Sequence, residues 1–253
     1  MTVSEFVTAL APILEGAASW DPVGLQLGDP GAPVGRVGVC HEVNDTTLTR
    51  LDGVDTLVAY HPLLFVPTTS LVAGPTPEGR AHALVARGVN LVVVHTGWDV
   101  APGGTAEALA SALGIDVGGG FASEEPDGPQ LGRFGLLDGT VGEVASVAES
   151  SLGAVSVRVA GDPDRPVANV AVLPGSGSAF IAAAAATGAD VLVTGDVSHH
   201  RATAGLDAGI AIVDVGHAPS ERPGMAALLA HVAGLVADPV DLTTITTSPW
   251  EGR

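Results

Sequence analysis

The stretch GVNLVVVHTGWD, residues 88–99, decides the fold class of this 253-residue chain. A glycine follows a helical segment, an almost wholly apolar run comes next, and polar residues begin directly after it. Short apolar runs bounded by turn residues are typical of strands buried on both faces, as parallel strands are beneath helices. The stretch therefore predicts a buried strand over residues 90–94, with its polar residues just beyond the strand end.

The same pattern occurs again later in the chain. GIAIVDVGHAPSE at 209–221 resembles the first stretch, and each copy follows a similar strand, DTLVAYH at 55–61 and DVLVTGD at 190–196. A helix is expected between the two strands of each copy. The sequence thus predicts an α/β fold of duplicated βαβ units, with parallel-strand sheets covered by helices in two lobes.

The rest of the chain is assigned around these units. We expect a first α/β lobe at 1–117, a connecting segment at 118–165 and a second α/β lobe at 166–253, with both lobes forming one metal site. Glycines and prolines make residues 19–35 mostly loop and place a turn at 132–135. Further strands are expected at 34–40, 56–59, 156–159, 167–173, 191–194 and 210–213. Helices are expected at 3–14 with a limit near Pro12, and at 45–51, 79–87, 141–152, 179–186 and 202–206.

Composition excludes several classes of function. The net charge is −18 and all ten basic residues are arginines, so nucleic acid is an unfavourable ligand and lysine-based chemistry is absent. No apolar run is long enough for a membrane span, and the amino terminus lacks the pattern of a signal peptide. A single cysteine, Cys40, agrees with a reducing compartment. We therefore expect a cytoplasmic protein that binds neither membrane nor nucleic acid.

The polar residues past the strand ends are candidate metal ligands. Ligands bind at this edge of open α/β sheets, and imidazoles and carboxylates are donors for zinc, manganese and iron. Pro219 suits a first helical turn, which would place His217 and Glu221 on one face. His61 and Asp99 follow the strands of the first copy. On spacing alone, metal binding and simple hydrogen bonding both stay open.

Several other features of the sequence have two interpretations each. The turn at 174–178 is either a phosphate cradle or a tight βα turn. Trp20 and Trp98 either line a base-sized pocket or serve packing. Asp21 either caps a loop or orients a ligand, and a supporting role beside the ligands is open for three further histidines, His95, His199 and His200.

Five motifs in order carry a family resemblance over nearly the whole chain. They are WDPVGLQLG at 20–28, YHPLLF at 60–65, HTGWD at 95–99, TGD at 194–196 with the histidines at 199–200, and GH at 216–217 with SE at 220–221. Together they resemble the dinuclear-metal-centre family known as NGG-one-interacting factor three, often labelled GTP cyclohydrolase type 2 homologues.

The resemblance implies a toroidal homohexamer built on trimers, a compact form without an inserted domain, and a two-metal site in each subunit. By position, His61, Asp99, His217 and Glu221 match family ligands. The family has two adjacent histidines where this chain has Tyr60 and His61, so the first histidine is missing. Tyr60 is then a phenolate ligand, or another histidine such as His41 or His200 substitutes, or one ion is weak or absent. We expect one or two divalent ions per chain (Zn, Mn or Fe).

Two functions follow from this reading. The first is a metal-dependent hydrolase acting on a nucleotide-like small molecule, with catalytic residues left unassigned. The second is a non-catalytic metal-handling or interaction protein, in which a two-metal site that lacks one histidine is tolerated more easily.

Overall fold

The structure is a computed structural model that describes residues 1–154 and 156–250. Its helices are α1 (Val3–Ala9), α2 (Asp45–Thr49), α3 (Pro77–Ala86), α4 (His95–Val100), α5 (Thr105–Ala112), α6 (Val141–Leu152), α7 (Ile181–Ala186), α8 (His199–Asp207) and α9 (His217–Ala233). Its strands are β1 (Gly24–Leu27), β2 (Val37–Cys40), β3 (Thr56–Ala59), β4 (Asn90–Val93), β5 (Asp116–Phe121), β6 (Gly132–Thr140), β7 (Arg158–Ala160), β8 (Pro166–Val172), β9 (Val191–Thr194), β10 (Ala211–Asp214) and β11 (Val240–Leu242). Short 3-10 helices cover Ala11–Ile13 and Gly177–Phe180.

The chain divides into two compact units. Unit 1 comprises Met1–Ala101 and Met225–Thr247, and unit 2 comprises Pro102–Gly224 with the residues after Thr247. The sequence-based division instead used bounds at 117/118 and 165/166. No helix in the described part of the chain is long and apolar enough to span a bilayer.

Unit 1 contains a sheet of order β1-β4-β3-β2-β11. β11, β2, β3 and β4 run parallel, and β1 pairs with β4 in the opposite direction. α2 connects β2 to β3 and α3 connects β3 to β4. Apolar clusters lie on both faces of this sheet, one containing Phe6 and Val58 and the other Leu57 and Leu84. Alternate residues of the strands therefore enter different cores.

Unit 2 contains a sheet of order β5-β6-β8-β9-β10-β7. β8, β9 and β10 run parallel, and the outer strands pair antiparallel. α7 and α8 connect the three parallel strands. One face packs against α5 and α6 and the other against α7 and α8. The α/β fold with duplicated βαβ units is thereby confirmed: β2-α2-β3-α3-β4 corresponds to β8-α7-β9-α8-β10.

Two glycine-rich segments contain strands that the sequence did not predict, although residues 19–35 are mostly loop, as expected. Residues 24–27, expected as loop, form β1 on the edge of the first sheet. Residues 132–135, expected as a turn, begin the nine-residue strand β6. A Cβ on Gly135 would lie 2.0 Å from the carbonyl oxygen of Asp116 on β5. The glycine therefore marks a close approach between strands and not a reversal of the chain.

A third difference concerns residues 95–99, which form the short helix α4 directly after β4. At the amino terminus, α1 ends at Ala9 and Pro12 lies in the 3-10 turn that follows, as the proline predicts. Thr2 caps α1, accepting from the N–H of Glu5.

Candidate metal centre

In unit 1, backbone hydrogen bonds of the parallel sheet continue past the strand ends. The N–H of Tyr60 donates to the carbonyl of Cys40 at 3.0 Å, and the N–H of His61 donates to the carbonyl of His41 at 2.9 Å. The N–H of His95 donates to the carbonyl of Tyr60 at 3.0 Å. Three histidines from three consecutive strands therefore lie at one edge of the sheet, where ligands bind in open α/β folds.

His41 and His61 form a pair of imidazoles at this edge. Their ring centroids are 4.6 Å apart, and each offers a nitrogen within 4.8 Å of one from the other. His41 Nδ1 lies 2.6 Å from Thr247 Oγ1, and His61 Nδ1 lies 3.8 Å from Glu42 Oε2. Contacts of this kind on Nδ1 orient a ring so that Nε2 is presented to an ion. The pair is a possible metal-binding group.

Glu42 adds negative charge beside the two imidazoles. Its interaction with His61 lowers the pKa of the Glu42 carboxyl, burial acts in the opposite direction, and His41 and Arg80 lower the pKa further. The carboxyl is therefore ionised at neutral pH. An anion at this position favours a cation between the histidines.

Tyr60 and Asp99, both predicted for the metal site, are joined to each other. Tyr60 is 1% exposed, and its hydroxyl donates to Asp99 Oδ1 at 2.6 Å. Asp99 lies in α4 and is itself buried. This oxygen of Asp99 is therefore engaged by the hydroxyl of Tyr60.

Asp21 binds the start of α4 through several hydrogen bonds. Its carboxylate oxygens lie 2.9 and 3.0 Å from His95 Nδ1, and it accepts from both the N–H and the hydroxyl of Thr96. Burial alone would raise the pKa of Asp21, but the bonds from His95 and Thr96 outweigh it and lower the pKa. Of the two readings of Asp21, orientation of a site residue fits this geometry.

In unit 2, His217 and Glu221 lie together at the start of α9. His217 Nε2 is 3.1 Å from Glu221 Oε1, and His217 Nδ1 is 2.7 Å from Asp196 Oδ2. Glu221 is 3% exposed, whereas the side chain of His217 is 38% exposed. The spacing of four residues brings both side chains to one face of the helix, as expected. Asp196 orients the imidazole in the way that carboxylates support metal-bound histidines.

Gly175 leaves room at this pair. It has φ +67°, and a Cβ there would lie 2.6 Å from Glu221 Oε1 and 3.4 Å from His217 Nε2. The residue without a side chain thus keeps the facing donor atoms uncovered. The donors present, imidazole and carboxylate, fit a divalent ion.

Asp214 is a positioning residue that the sequence did not reveal. Buried at the end of β10, it accepts from the N–H of Val197 at 3.0 Å, from the N–H of Gly216 at 2.9 Å and from the guanidinium of Arg158. These bonds hold the two loops that carry Asp196 and His217. The signal for Asp214 in the sequence is a carboxylate at the end of an apolar strand.

The structure also describes the other features that were singled out in the sequence. The N–H groups of Gly175 and Gly177 donate to Ser220 Oγ and Thr194 Oγ1, which supports the reading of residues 174–178 as a tight βα turn. His199 and His200 are exposed at the start of α8, with ring centroids 5.3 Å apart. Trp98 is buried and belongs to an apolar core, so packing is its role.

Cys40 lies directly before His41, at the end of β2. Its side chain is wholly buried, and burial raises the pKa of the thiol, with the charge of Glu42 adding to the effect. The thiol therefore stays protonated, and the donor groups at this edge are nitrogen and oxygen.

Known proteins are similar to this chain in sequence. A Streptomyces coelicolor protein named GTP cyclohydrolase 1 type 2 homolog is 37% identical over 234 residues, which cover 87% of this chain and 82% of that protein. A Nostoc protein of the same name is 33% identical over 184 residues, covering 71% of this chain and 69% of that protein.

Solved structures of known proteins have a fold similar to that of this chain. Staphylococcus aureus protein SA1388 superposes with a TM-score of 0.86 and 25% identity, covering 99% of both chains. A Bacillus cereus protein related to NIF3 superposes with a TM-score of 0.83 and 21% identity over 98% of both chains. Residues 1–249 match the family described as Duf34/NIF3 (NGG1p interacting factor 3), and this chain belongs to that family.

Proposed function

We propose that this protein binds one divalent ion tightly, and that its ligands come from His41, His61, His217 and Glu221. The observation that carries the proposal is the pair of imidazoles His41 and His61, whose nitrogens lie within 4.8 Å of each other at adjoining strand ends. Imidazole and carboxylate together suit zinc, manganese or iron.

In the same proposal, His41 substitutes for the histidine that is missing at position 60, and the second family ion is weak or absent. The hydrogen bond from Tyr60 to Asp99 supports this view, because it engages an oxygen that a second ion would need. Binding there must displace a proton from the phenol or break a buried hydrogen bond, and either event costs free energy.

Elemental analysis of the dialysed protein tests this proposal. We expect close to one ion per chain in the wild type, and loss of that ion in His61→Ala and Glu221→Gln with the circular dichroism spectrum retained. His199→Ala is the matched control, since it removes an exposed histidine and should leave the ion in place. Two ions per wild-type chain after dialysis would contradict the proposal.

For the activity we propose metal-dependent hydrolysis of a nucleotide-like small molecule. A bound divalent ion supplies Lewis acidity and lowers the pKa of water. The chain's own residues orient the site: Asp196 holds His217, and Asp21 holds His95 at Nδ1, so that proton exchange at His95 is confined to Nε2. The name of these relatives, GTP cyclohydrolase 1 type 2 homolog, supports a nucleotide-like substrate.

A non-catalytic metal-handling role is the second candidate, and the bond between Tyr60 and Asp99 favours it, because it reduces the capacity for a second ion. A panel of nucleotides and phosphoesters with Zn, Mn and Fe separates the two. Turnover that is lost in Glu221→Gln supports the hydrolase. Reversible ion exchange without turnover for any metal supports metal handling.

We also propose that the protein is a cytoplasmic homohexamer. The family resemblance supports the hexamer, and the single buried cysteine supports a reducing compartment. Sedimentation equilibrium should give six times the chain mass of 25.1 kDa. A monomer or dimer across the micromolar range would rule the hexamer out.

A further inference from the structure

Two aromatic side chains of unit 1 are exposed beside the histidines of the strand ends. Trp20 is 44% exposed and Phe65 is 55% exposed. Their ring centroids are 5.8 Å apart, with an angle of 57° between the planes. The ring of His95 lies edge-on to both, at 6.3 Å from each centroid. Exposure of neighbouring aromatic rings is unfavourable in water and often marks a binding surface.

Trp20 is held in place through its neighbour in sequence. The side chain of Asp21 is 0% exposed, and its carboxylate accepts hydrogen bonds from His95 and Thr96. The N–H of Asp21 donates to the carbonyl of Ala18 at 3.0 Å. The backbone that carries Trp20 and the ring of His95 are therefore fixed by the same buried carboxylate.

The backbone directly before Phe65 is held by a separate set of hydrogen bonds. Gln26 Oε1 accepts from the N–H groups of Leu63 and Leu64, at 3.0 and 2.8 Å, and Gln26 Nε2 donates to the carbonyl of Leu64 at 3.1 Å. One glutamine thus satisfies three backbone groups directly before Phe65. Such bonds define the backbone conformation at this exposed position.

His95 has φ +25°, an uncommon conformation for a residue with a side chain. Non-glycine residues in such conformations cluster at functional sites, where the surrounding contacts impose them. Here the contacts of Asp21 and Thr96 hold the backbone so that the imidazole faces both aromatic rings. The three rings are thus arranged before any ligand arrives, which reduces the entropy cost of binding.

We propose that Trp20, Phe65 and His95 form a binding site for a planar heteroaromatic ring without a polyphosphate chain. The ring stacks against the exposed aromatic side chains, and Nε2 of His95 forms a hydrogen bond with a polar atom on its edge, because Nδ1 is engaged by Asp21. The net charge of −18 and the lack of lysine disfavour polyphosphates. None of these three residues is a proposed ion ligand, although the ring of His95 lies 5.7 Å from that of His61. The site binds the ring without metal.

Titration of metal-free protein with adenosine, guanosine or nicotinamide in the presence of EDTA tests the proposal. We expect saturable quenching of tryptophan fluorescence by at least one of them and none by ribose, which has no aromatic ring. Because EDTA is present throughout, the result is independent of whether the proposed metal site exists. No saturable binding of any of the three compounds would overturn the proposal.

Substitutions locate the binding. Trp20→Leu and Phe65→Leu should each weaken binding, measured by calorimetry, by about tenfold or more, as loss of an aromatic stacking partner does. Trp250→Leu is the matched control, because Trp250 is exposed elsewhere in the chain and its loss should leave affinity unchanged. Unchanged affinity in both test variants would overturn the proposal. A changed oligomeric mass in these variants, without ring binding, would also overturn the proposal. Val66, Leu71 and Val72 are exposed as well, and the surface would then be a contact between copies of the chain.

Discussion

Replacement of Tyr60 by phenylalanine should lower the stability of the metal-free protein and raise its capacity for metal. The variant removes one oxygen atom and keeps the ring within its apolar core. Asp99 then loses the donor that lies 2.6 Å away, and its carboxylate becomes available to a cation. Stability and metal content should therefore change in opposite directions.

The magnitude follows from the geometry of that bond. Tyr60 is 1% exposed, so water has little access to replace the lost hydroxyl. A hydrogen bond to a charged group contributes about 1.5–3 kcal/mol to the free energy of unfolding. In a chain of this size each kcal/mol corresponds to about 2–4 °C in the unfolding midpoint. We expect the midpoint to fall by about 3–12 °C in EDTA.

Thermal unfolding followed by circular dichroism in EDTA, with elemental analysis after incubation with Mn or Zn, provides the two readouts. Asp99→Asn is the control: it retains an acceptor for the phenol but removes the charge, so its metal content should not rise. A Tyr60→Phe variant with an unchanged midpoint and unchanged metal content would refute the role assigned to this bond. Tyr60→His should go further and bring the content towards two ions per chain.

Three further perturbations test the surrounding contacts. The pKa of Asp21 is lowered in the folded state, so its contribution to stability is full above the unfolded pKa of about 3.9 and is lost as pH falls through the folded value. Asp21→Asn should therefore lose stability in urea melts at pH 7 and approach the wild type near pH 2; an equal deficit at both values contradicts this assignment. Asp214→Ala leaves the N–H groups of Val197 and Gly216 without their acceptor and should cost about 1–3 kcal/mol in urea unfolding with a weaker affinity for Zn, whereas unchanged Zn affinity would show that these loops do not position His217. Gly175→Ala places a Cβ 2.6 Å from Glu221 Oε1 at φ +67° and should reduce metal content, while Gly188→Ala, also at positive φ but with nothing within 4 Å of the added Cβ, controls for backbone strain alone.

The parallel core was predictable because its signal is local. Each central strand is a short apolar run with polar residues directly after it, and the repetition in 55–61 and 190–196 predicted the correspondence of β3 with β9. Because these strands lie side by side, the polar residues that follow neighbouring strands lie close together. The proximity of His217 and Glu221 was predictable for the same reason, since both lie on one helix face.

What escaped prediction depends on contacts between distant parts of the chain. Nothing near Gly135 in sequence shows that the backbone of Asp116 lies against it, so its glycine was interpreted as a turn. Likewise the bond between Tyr60 and Asp99 joins residues 39 positions apart, and the bond between His41 and Thr247 joins residues 206 positions apart. Residue type alone cannot distinguish a metal ligand from a hydrogen-bond partner at such positions.

The burial of Cys40 has a consequence for which ions the protein can discriminate. Thiolate ligands select soft ions such as Cu(I), and a thiolate one residue before His41 would give such ions an advantage. Because this cysteine, the single one in the sequence, is held protonated within the sheet, that advantage is withheld. The neighbouring histidines and carboxylates are then the available ligands, and they favour ions of borderline hardness. The same burial protects the sulfur from oxidation.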